Sequence, residues 1–519
     1  MSKLSGIKKF FGGKSSQPMK DEFVETVVCK VNEMVDGEMR QIDLGEGKAL
    51  LVKDKGEFFA VGPKCSHFGA PLHKGAYCNG IVRCPWHGAC FNVKTGDIED
   101  FPGLDSIPHY EVKIEKDMVK VIGRKEKVKN SRRLKSVVNY DAADKRIFIV
   151  VGGGPAAASC VETLRQEGYT GRIVMISKEP YLPYDRTKLS KTLDAKPATL
   201  QLRDAEFYKK LTVELMTGKQ VIRLDVKNKT VHLNSGESLH FDKVMCATGG
   251  SPRNLEILGN DLKNVHVLRD IDSGNAIGAS CQGQKVVLIG TSFIGLELAS
   301  YMLDKGSAAS VTVVGRSEVP LKTVLGEKIG IVIKKLIEDR GGKFVFSDPP
   351  VEFLGVNPST DYLKDSDVEL TDEGYVIVNK QMMTNISDVF AAGDMTKFPL
   401  FLADDEHINI QHWQMAIKQG QIAGTNMAGK ERNIHSVPFF WTMILGKGIR
   451  YAGSLEDYKF VAYYTKGDKV IAVATIGSDP VAAQAAEMFY NKIPFLKSDI
   501  INDSSVPPAW SVKLTKVRI

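Results

Sequence analysis

The sequence is poor in three things. No stretch of it reaches eighteen consecutive apolar residues, so no membrane-spanning helix is expected. Eight cysteines among 519 residues are too few for a disulfide scaffold, which excludes a small secreted cross-linked fold. The first twenty residues hold no acidic side chain and no apolar core of the kind a secretory signal needs. They do carry five lysines, and have the basic, Ser-containing character of a transit peptide, though without arginine. A second basic run, residues 124–135, holds seven Lys or Arg against one Glu. Together the two runs exceed the whole net charge of +7, so the rest of the chain is net acidic. The charge therefore sits in a tail and a linker, with no nucleic-acid-binding fold beside it, which argues against nucleic acid as a partner. At 43% hydrophobic and 25% charged, the composition is that of a globular protein of roughly two to four domains.

Four of the eight cysteines fall between residues 65 and 90, the clustering of a metal site in a reducing compartment. Around them, residues 21–122 alternate apolar and polar side chains in short runs, as in KALLVKDKGEFFAVG and HYEVKIEKDMVKVIG. This predicts a small all-β domain with the Cys/His segment in its loops. Residues 1–20 are read as a basic tail and 123–144 as a basic linker, a solvated tether without apolar periodicity. The pattern then changes to strand, Gly-rich turn and helix. RIFIVVGGGPAAASCVETLRQEGYTGRIVMIS is one βαβ unit and KVVLIGTSFIGLELASYMLDKGSAASVTVVG a second. NISDVFAAGD (385–394) reads as a buried strand and 409–428 as a helix, and a hairpin is expected near Gly467-Asp468.

The cysteine cluster has a defined spacing: Cys65-Ser66-His67, sixteen residues, then Cys84-Pro85-Trp86-His87. Each loop offers one thiolate and one imidazole. Two such loops can clamp a 2Fe–2S centre with two Cys on one iron and two His on the other. A Cys2His2 zinc site is the competing use of the same residues, but a one-residue Cys-to-His gap is tight for one tetrahedral ion. The whole segment resembles a Rieske domain. Ala70 and Trp86 stand where cytochrome-type members carry a disulfide, so the likeness is to the ferredoxin type. The resemblance implies Cys65, His67, Cys84 and His87 as the iron ligands; His73, Cys78 and Cys90 are read as non-ligands.

The first glycine turn, Gly152-Gly153-Gly154-Pro155-Ala156-Ala157, is G-x-G-x-x-A between a strand and a helix. Gly152 permits the tight turn, Gly154 lets a pyrophosphate approach, and Ala157 allows close helix–strand packing. Glu179, at the end of the next strand, suits a ribose hydroxyl. Together with EPYLPYDRTKLSK (179–191), Ala247-Thr248-Gly249, Ala391-Ala392-Gly393-Asp394 and Phe440-Trp441, these residues carry a resemblance over 146–519. It is to the FAD-dependent pyridine-nucleotide oxidoreductases, in the branch of apoptosis-inducing factors and oxygenase-coupled ferredoxin reductases. The resemblance implies that Arg186 binds FAD, Lys191 lies near flavin N5, the Val221 backbone meets the adenine and Asp394 holds the ribityl chain. It also sets His412, Trp413 and Trp441 near the isoalloxazine. Disulfide reductases of this superfamily carry C-x4-C on the first helix; here only Cys160 is present, so electrons are not expected to leave through a dithiol.

The second turn runs Gly290-Thr291-Ser292-Phe293-Ile294-Gly295-Leu296-Glu297, with Ser292 in place of the middle glycine. By resemblance, Gly290 and Gly295 cradle NAD(P)H, Phe293 gates the nicotinamide and Glu297 pairs with Lys191. The following strand ends in Gly315-Arg316, where NADH-specific relatives place Glu, so NADH and NADPH both stay open. After GKFVFS (342–347) the chain reaches GVNPSTDYLKDS at once, without the β-meander and strand that such a domain carries. The expected architecture is an all-β Rieske domain (21–122), then α/β Rossmann-like domains and a small α+β C-terminal domain. The FAD-binding domain takes 145–270 and 379–435, a shortened NAD(P)-binding domain 271–378, and the C-terminal domain 436–519. The expected activity is an NAD(P)H-dependent flavoprotein oxidoreductase that passes electrons from FAD to its own Rieske cluster and on to an external acceptor. The resemblance implies an intracellular protein, of cytoplasm or mitochondrion, with a link to cell death. The alternative is a cell-death effector or redox-sensing scaffold with vestigial reductase activity.

Overall fold

A computed structural model of the chain describes residues 22–254, 258–346, 355–449, 460–501, 503 and 508–516. The basic tail expected at 1–20 lies outside these residues. Residues 23–124 form two antiparallel sheets. The larger has the order Phe23–Lys30, Met118–Arg124, His109–Glu115, Glu57–Val61, Gly47–Asp54, Met39–Leu44. Its period-two alternation drives Leu44, Leu51, Val119 and Val121 into one core and Leu50, Val52 and Val61 into another. The smaller sheet stacks Ala76–Cys78, Ile81–Arg83, Cys90–Asn92 and Ile98–Asp100 in chain order.

The segment expected to be a solvated tether is instead laid down on this β domain. Lys125–Lys129 is helical, Val128 packs into the domain's core, and Arg133 pairs with Asp97 and exchanges backbone bonds of 2.9 and 2.8 Å with Ser106. Val128, Arg132, Arg133 and the backbone exchange with Ser106 hold the run. None of these leaves a periodic trace in sequence.

The first βαβ unit builds a five-stranded parallel sheet, ordered Val213–Thr217, Arg172–Ser177, Ile147–Val151, Lys243–Cys246, Val389–Ala391. Its strands are apolar almost throughout, as strands covered on both faces must be. Pro155, at the first position of the helix Pro155–Gln166, presets its φ. That helix crosses Trp413–Met427 so closely that a Cβ on Gly420 would lie 2.1 Å from the Ala156 carbonyl oxygen.

The second βαβ unit has three parallel strands among the described residues, Lys285–Ile289, Ser310–Gly315 and Lys343–Phe346. The boundary expected at 378 moves. Val356–Pro358 pairs with Gly250–Pro252, and Tyr362, Leu363 and Val376 enter the core of the first dinucleotide domain. Apolar residues at these positions call for burial without saying in which core. The C-terminal part forms a four-stranded sheet in which the hairpin Phe460–Lys466/Lys469–Ile476 turns at Gly467-Asp468, with the helix Val481–Tyr490 packed on it. No described helix is long and apolar enough to cross a membrane.

The β domain is seated on the rest of the molecule through buried polar groups. Arg83 Nε and Glu487 Oε1 meet at 2.5 Å with both side chains 1% exposed. The Asp100 carboxylate accepts from Gln414 Nε2 (3.1 Å) and Ser436 Oγ (2.8 and 3.0 Å). Lys418 Nζ donates to the Glu99 carbonyl (2.7 Å), Trp413 Nε1 to that of Pro102 (3.3 Å), and Arg203 pairs with Asp105 (2.7 Å). Buried ions left without these partners would each cost several kcal/mol, so the docked arrangement is specified and the surface is not an open one.

Candidate functional site

The two Cys/His loops are built alike. Cys65 N–H donates to the Ala70 carbonyl (2.9 Å) and Gly69 N–H to that of Cys65 (2.9 Å); Cys84 and Gly88 repeat the pattern with Ala89 and Cys84 (2.7 and 3.2 Å). Gly69 and Gly88 sit at φ 76 and 72°, which closes each loop. A side chain at Gly88 would strike the Phe439 ring at 2.6 Å, so this loop lies flat on the neighbouring domain. Facing each other, the loops bring like to like. Both thiols are buried, and a hydrogen bond with Cys84, reinforced by burial, pushes the Cys65 thiol well above its usual range. His67 Nδ1 lies 3.2 Å from His87 Nδ1. Burial, helped by the charges of Lys188 and Arg132, lowers the His67 imidazole to about 3. Among the described residues no three His, Cys, Asp or Glu converge as a single ion requires. A two-Cys, two-His pairing suits two irons instead. His73, Cys78 and Cys90 stay outside the pairing, and Cys78 and Cys90 are buried.

Beside these loops opens one continuous cavity of about 2250 Å³, lined by both glycine turns. On the first turn, Gly152 has φ 134° and its absent Cβ would lie 2.2 Å from the Ala247 carbonyl oxygen. At Gly154 the same position is open space, which leaves room for a pyrophosphate at the helix N-terminus. Ala157 is fully buried in the core behind. Val221, at the start of its strand, is buried and lines the cavity. Asp394 lines it too. Burial raises its carboxyl, Arg269 and Arg186 pull it back, and among the described residues its side chain takes no hydrogen bond. A half-buried carboxylate facing an open cleft fits the hydroxyls of a ribityl chain. Glu179 already accepts from Arg186 and from Tyr184 Oη (2.7 Å), and Arg186 Nη1 donates to the Arg269 carbonyl (3.0 Å). The loop carrying Arg269 gave no sequence signal beyond the capping box that Asp270 and Ser273 form after it.

Lys191 Nζ meets Glu297 Oε2 at 2.7 Å, which joins the two dinucleotide domains at the cavity wall. Ser190 Oγ donates to the same carboxylate, and Thr442 Oγ1 does so at 2.6 Å; sequence reasoning missed both. Phe293, the first residue of its helix, lines the cavity and packs edge-on to Phe440 with centroids 5.4 Å apart. Gly290 has φ 110°, and Gly295 approaches so closely that a Cβ would lie 2.3 Å from the Gly290 carbonyl oxygen. Ser292 caps the helix without a side-chain cap bond and lines the cavity, and Arg316 is exposed beyond it.

One ring connects the two halves. Trp441 lines the cavity and lies 4.7 Å from the His87 ring, 6.0 Å from His67 and 5.3 Å from His412, between centroids. His412 also lines the cavity, and burial holds its imidazole down to about 4, hence neutral. Trp413, paired with it in the sequence reading, points away to Pro102 and serves the domain contact, although its ring still reaches the cavity wall.

Comparison with known proteins identifies the families of both parts. The Rieske 2Fe–2S domain family matches residues 24–111, and the pyridine nucleotide-disulphide oxidoreductase family matches in two pieces, 147–353 and 347–420. The chain is 41% identical to apoptosis-inducing factor 3 of Mus musculus over 91% of its own length and 85% of the relative's. It is 28% identical to the ferredoxin–NAD(+) reductase subunit of a benzene 1,2-dioxygenase system from Pseudomonas putida, over 59% of this chain and 80% of the other. Its fold resembles putidaredoxin reductase in its covalent complex with putidaredoxin, with a TM-score of 0.65 at 22% identity over 72% of this chain and 99% of that one.

Proposed function

The chain belongs to the pyridine nucleotide-disulphide oxidoreductase family, in the Rieske-fused branch of its apoptosis-inducing factor 3 relatives, and from that premise we propose that it draws electrons from NADH and delivers them, through its own cluster, to an external one-electron acceptor. It is an oxidoreductase with FAD and a 2Fe–2S cluster as cofactors and NADH as donor. The flavin converts a two-electron donor into single-electron steps that the cluster can take. The observation that carries the reading is Trp441, whose ring stands between the cavity and both proposed histidine ligands.

The chain's own residues have definable tasks in this reading. Cys65, Cys84, His67 and His87 hold the cluster, and the paired thiols lose their protons when iron binds. Gly152, Gly154, Arg186, Val221 and Asp394 hold FAD; Gly290, Gly295 and Ser292 receive the nucleotide. Lys191 and Glu297 keep the cavity wall charge-matched. Phe293, edge-on to Phe440, closes the nicotinamide side. Cys160 is fully buried, so no dithiol route competes. All eight cysteines are buried, and their low number in the sequence supports cytoplasm or mitochondrion as the location.

Anaerobic titration with NADH tests the proposal. Flavin bleaching should be followed by a Rieske signal in electron paramagnetic resonance. Trp441→Leu should slow cluster reduction about tenfold or more and leave flavin reduction nearly intact. Absence of the cluster signal in the unmodified protein defeats the reading. A second reading, a cell-death effector with vestigial reductase activity, is favoured by one observation, the half-exposed nicotinamide-domain strand Lys285–Ile289. It predicts no bleaching by NADH at all.

A further inference from the structure

With the cluster loops seated on the reductase, the imidazole edges face Trp441 and Gly88 lies against Phe439. The surface that admits electrons is therefore covered, and they must leave by another route. One side of the loops stays open. Phe68 is 55% exposed, and its ring lies 4.2 Å from His67 and 5.6 Å from His87, edge-on to both. Its neighbour Gly69 faces open space. An exposed aromatic in contact with both imidazoles offers an apolar anchor directly beside the proposed cluster ligands.

Two exposed cations stand beside the His67 loop. Arg132 donates from Nη2 to the His67 carbonyl (3.3 Å) and is 60% exposed, while Asp105, 4.0 Å from its guanidinium, is 11% exposed. Lys188 acts on the same imidazole and is 38% exposed; its partner Asp185, at 3.7 Å, is also 11% exposed. Each cation is thus more exposed than the carboxylate it pairs with.

We propose that the Phe68 tip, rimmed by Arg132 and Lys188, is the exit face of the docked cluster and binds an acidic one-electron carrier protein. This rests on the reductase reading above. Each NADH would reduce two carriers by one electron apiece, with release of NAD+ and one proton. Phe68 supplies the apolar anchor and the cations steer the carrier's acidic face and set its register.

The test measures binding of an oxidised, acidic plant-type 2Fe–2S ferredoxin to the full-length holoprotein by calorimetry, without NADH. Binding should weaken tenfold or more between 50 and 500 mM salt, and roughly fivefold or more with each of Phe68→Ala and Arg132→Glu, both surface changes. Basic cytochrome c should not bind. Ferredoxin binding that neither variant weakens overturns the proposal, as does binding seen only after Arg203→Glu loosens the docked domain, because the covered face would then be the exit. Turnover with ferricyanide but no ferredoxin binding overturns it in favour of small anionic acceptors. Failure of NADH to reduce the cluster in the unmodified protein defeats the reductase reading instead, and leaves the binding result standing by itself.

Discussion

The two dinucleotide domains carry the same local device and end in different surroundings. IFIVVGGG and KVVLIGTS each run a strand into a glycine turn and a helix, with φ 134° at Gly152 and 110° at Gly290. Ile147–Val151 lies at the centre of a five-stranded sheet with neighbours on both edges. Among the described residues Lys285–Ile289 has one neighbour, and it alternates between exposed and half-buried residues. Three residues before the first glycine, Ile149 is fully buried while Val287 is 60% exposed. The motif dictates the turn, and the number of strands around it dictates burial. The family match divides near residue 350, where the sequence lacks the expected meander.

The largest effect should come from the glycines. Gly152→Ala would press a Cβ against the Ala247 carbonyl in an L-disfavoured conformation, and should cost about 4 kcal/mol or more with loss of bound flavin. Gly290→Ala meets nothing within 4 Å and should cost only backbone strain, about 1–3 kcal/mol. Thermal unfolding together with flavin content per chain checks both. Equal losses would mean that the two turns are equally confined and would undo the comparison.

A cleaner contrast removes side chains without touching the backbone. Ile149→Ala should destabilise by about 3 kcal/mol, the cost of a cavity in a packed core. Val287→Ala should change stability by about 0.5 kcal/mol or less, as surface changes do. Denaturant midpoints at unchanged slope decide it. A Val287 loss near that of Ile149 would show that something covers this strand in solution.

Sequence alone conveyed the turns and the cluster loops, because each depends on short-range spacing; the Lys191–Glu297 pair came with the family resemblance and has no pattern of its own in the residues. Sequence did not convey what the β domain rests on. Asp100, Gln414 and Ser436 form one buried cluster from segments over 300 residues apart in the chain, and none has a signature by itself. The same holds for Thr442, which completes the shell of Glu297, and for Val128 and Arg133, which turn an apparent tether into a strap. Residues 355–378 join the core of the first dinucleotide domain and not the second, because an apolar pattern gives burial and not address.

The smallest effect tests how the poorly packed domain is held. Lys191 comes from the FAD segment and Glu297 from the first turns of the nicotinamide-domain helix, so their 2.7 Å pair crosses between the two. Glu297 is 8% exposed and also accepts from Ser190 and Thr442, whereas Lys191 is 33% exposed and can turn to water. Glu297→Gln removes the charge and keeps the shape. It should cost about 2 kcal/mol, below the 3–5 of a fully buried pair, because the lysine left behind is partly solvated. If the domain with three described strands depends on this junction, the loss should appear first as weaker NADH binding in equilibrium titration, with flavin content unchanged. Loss of flavin at the same protein stability would place the pair in the service of the FAD domain instead, and the weaker domain would then need another anchor.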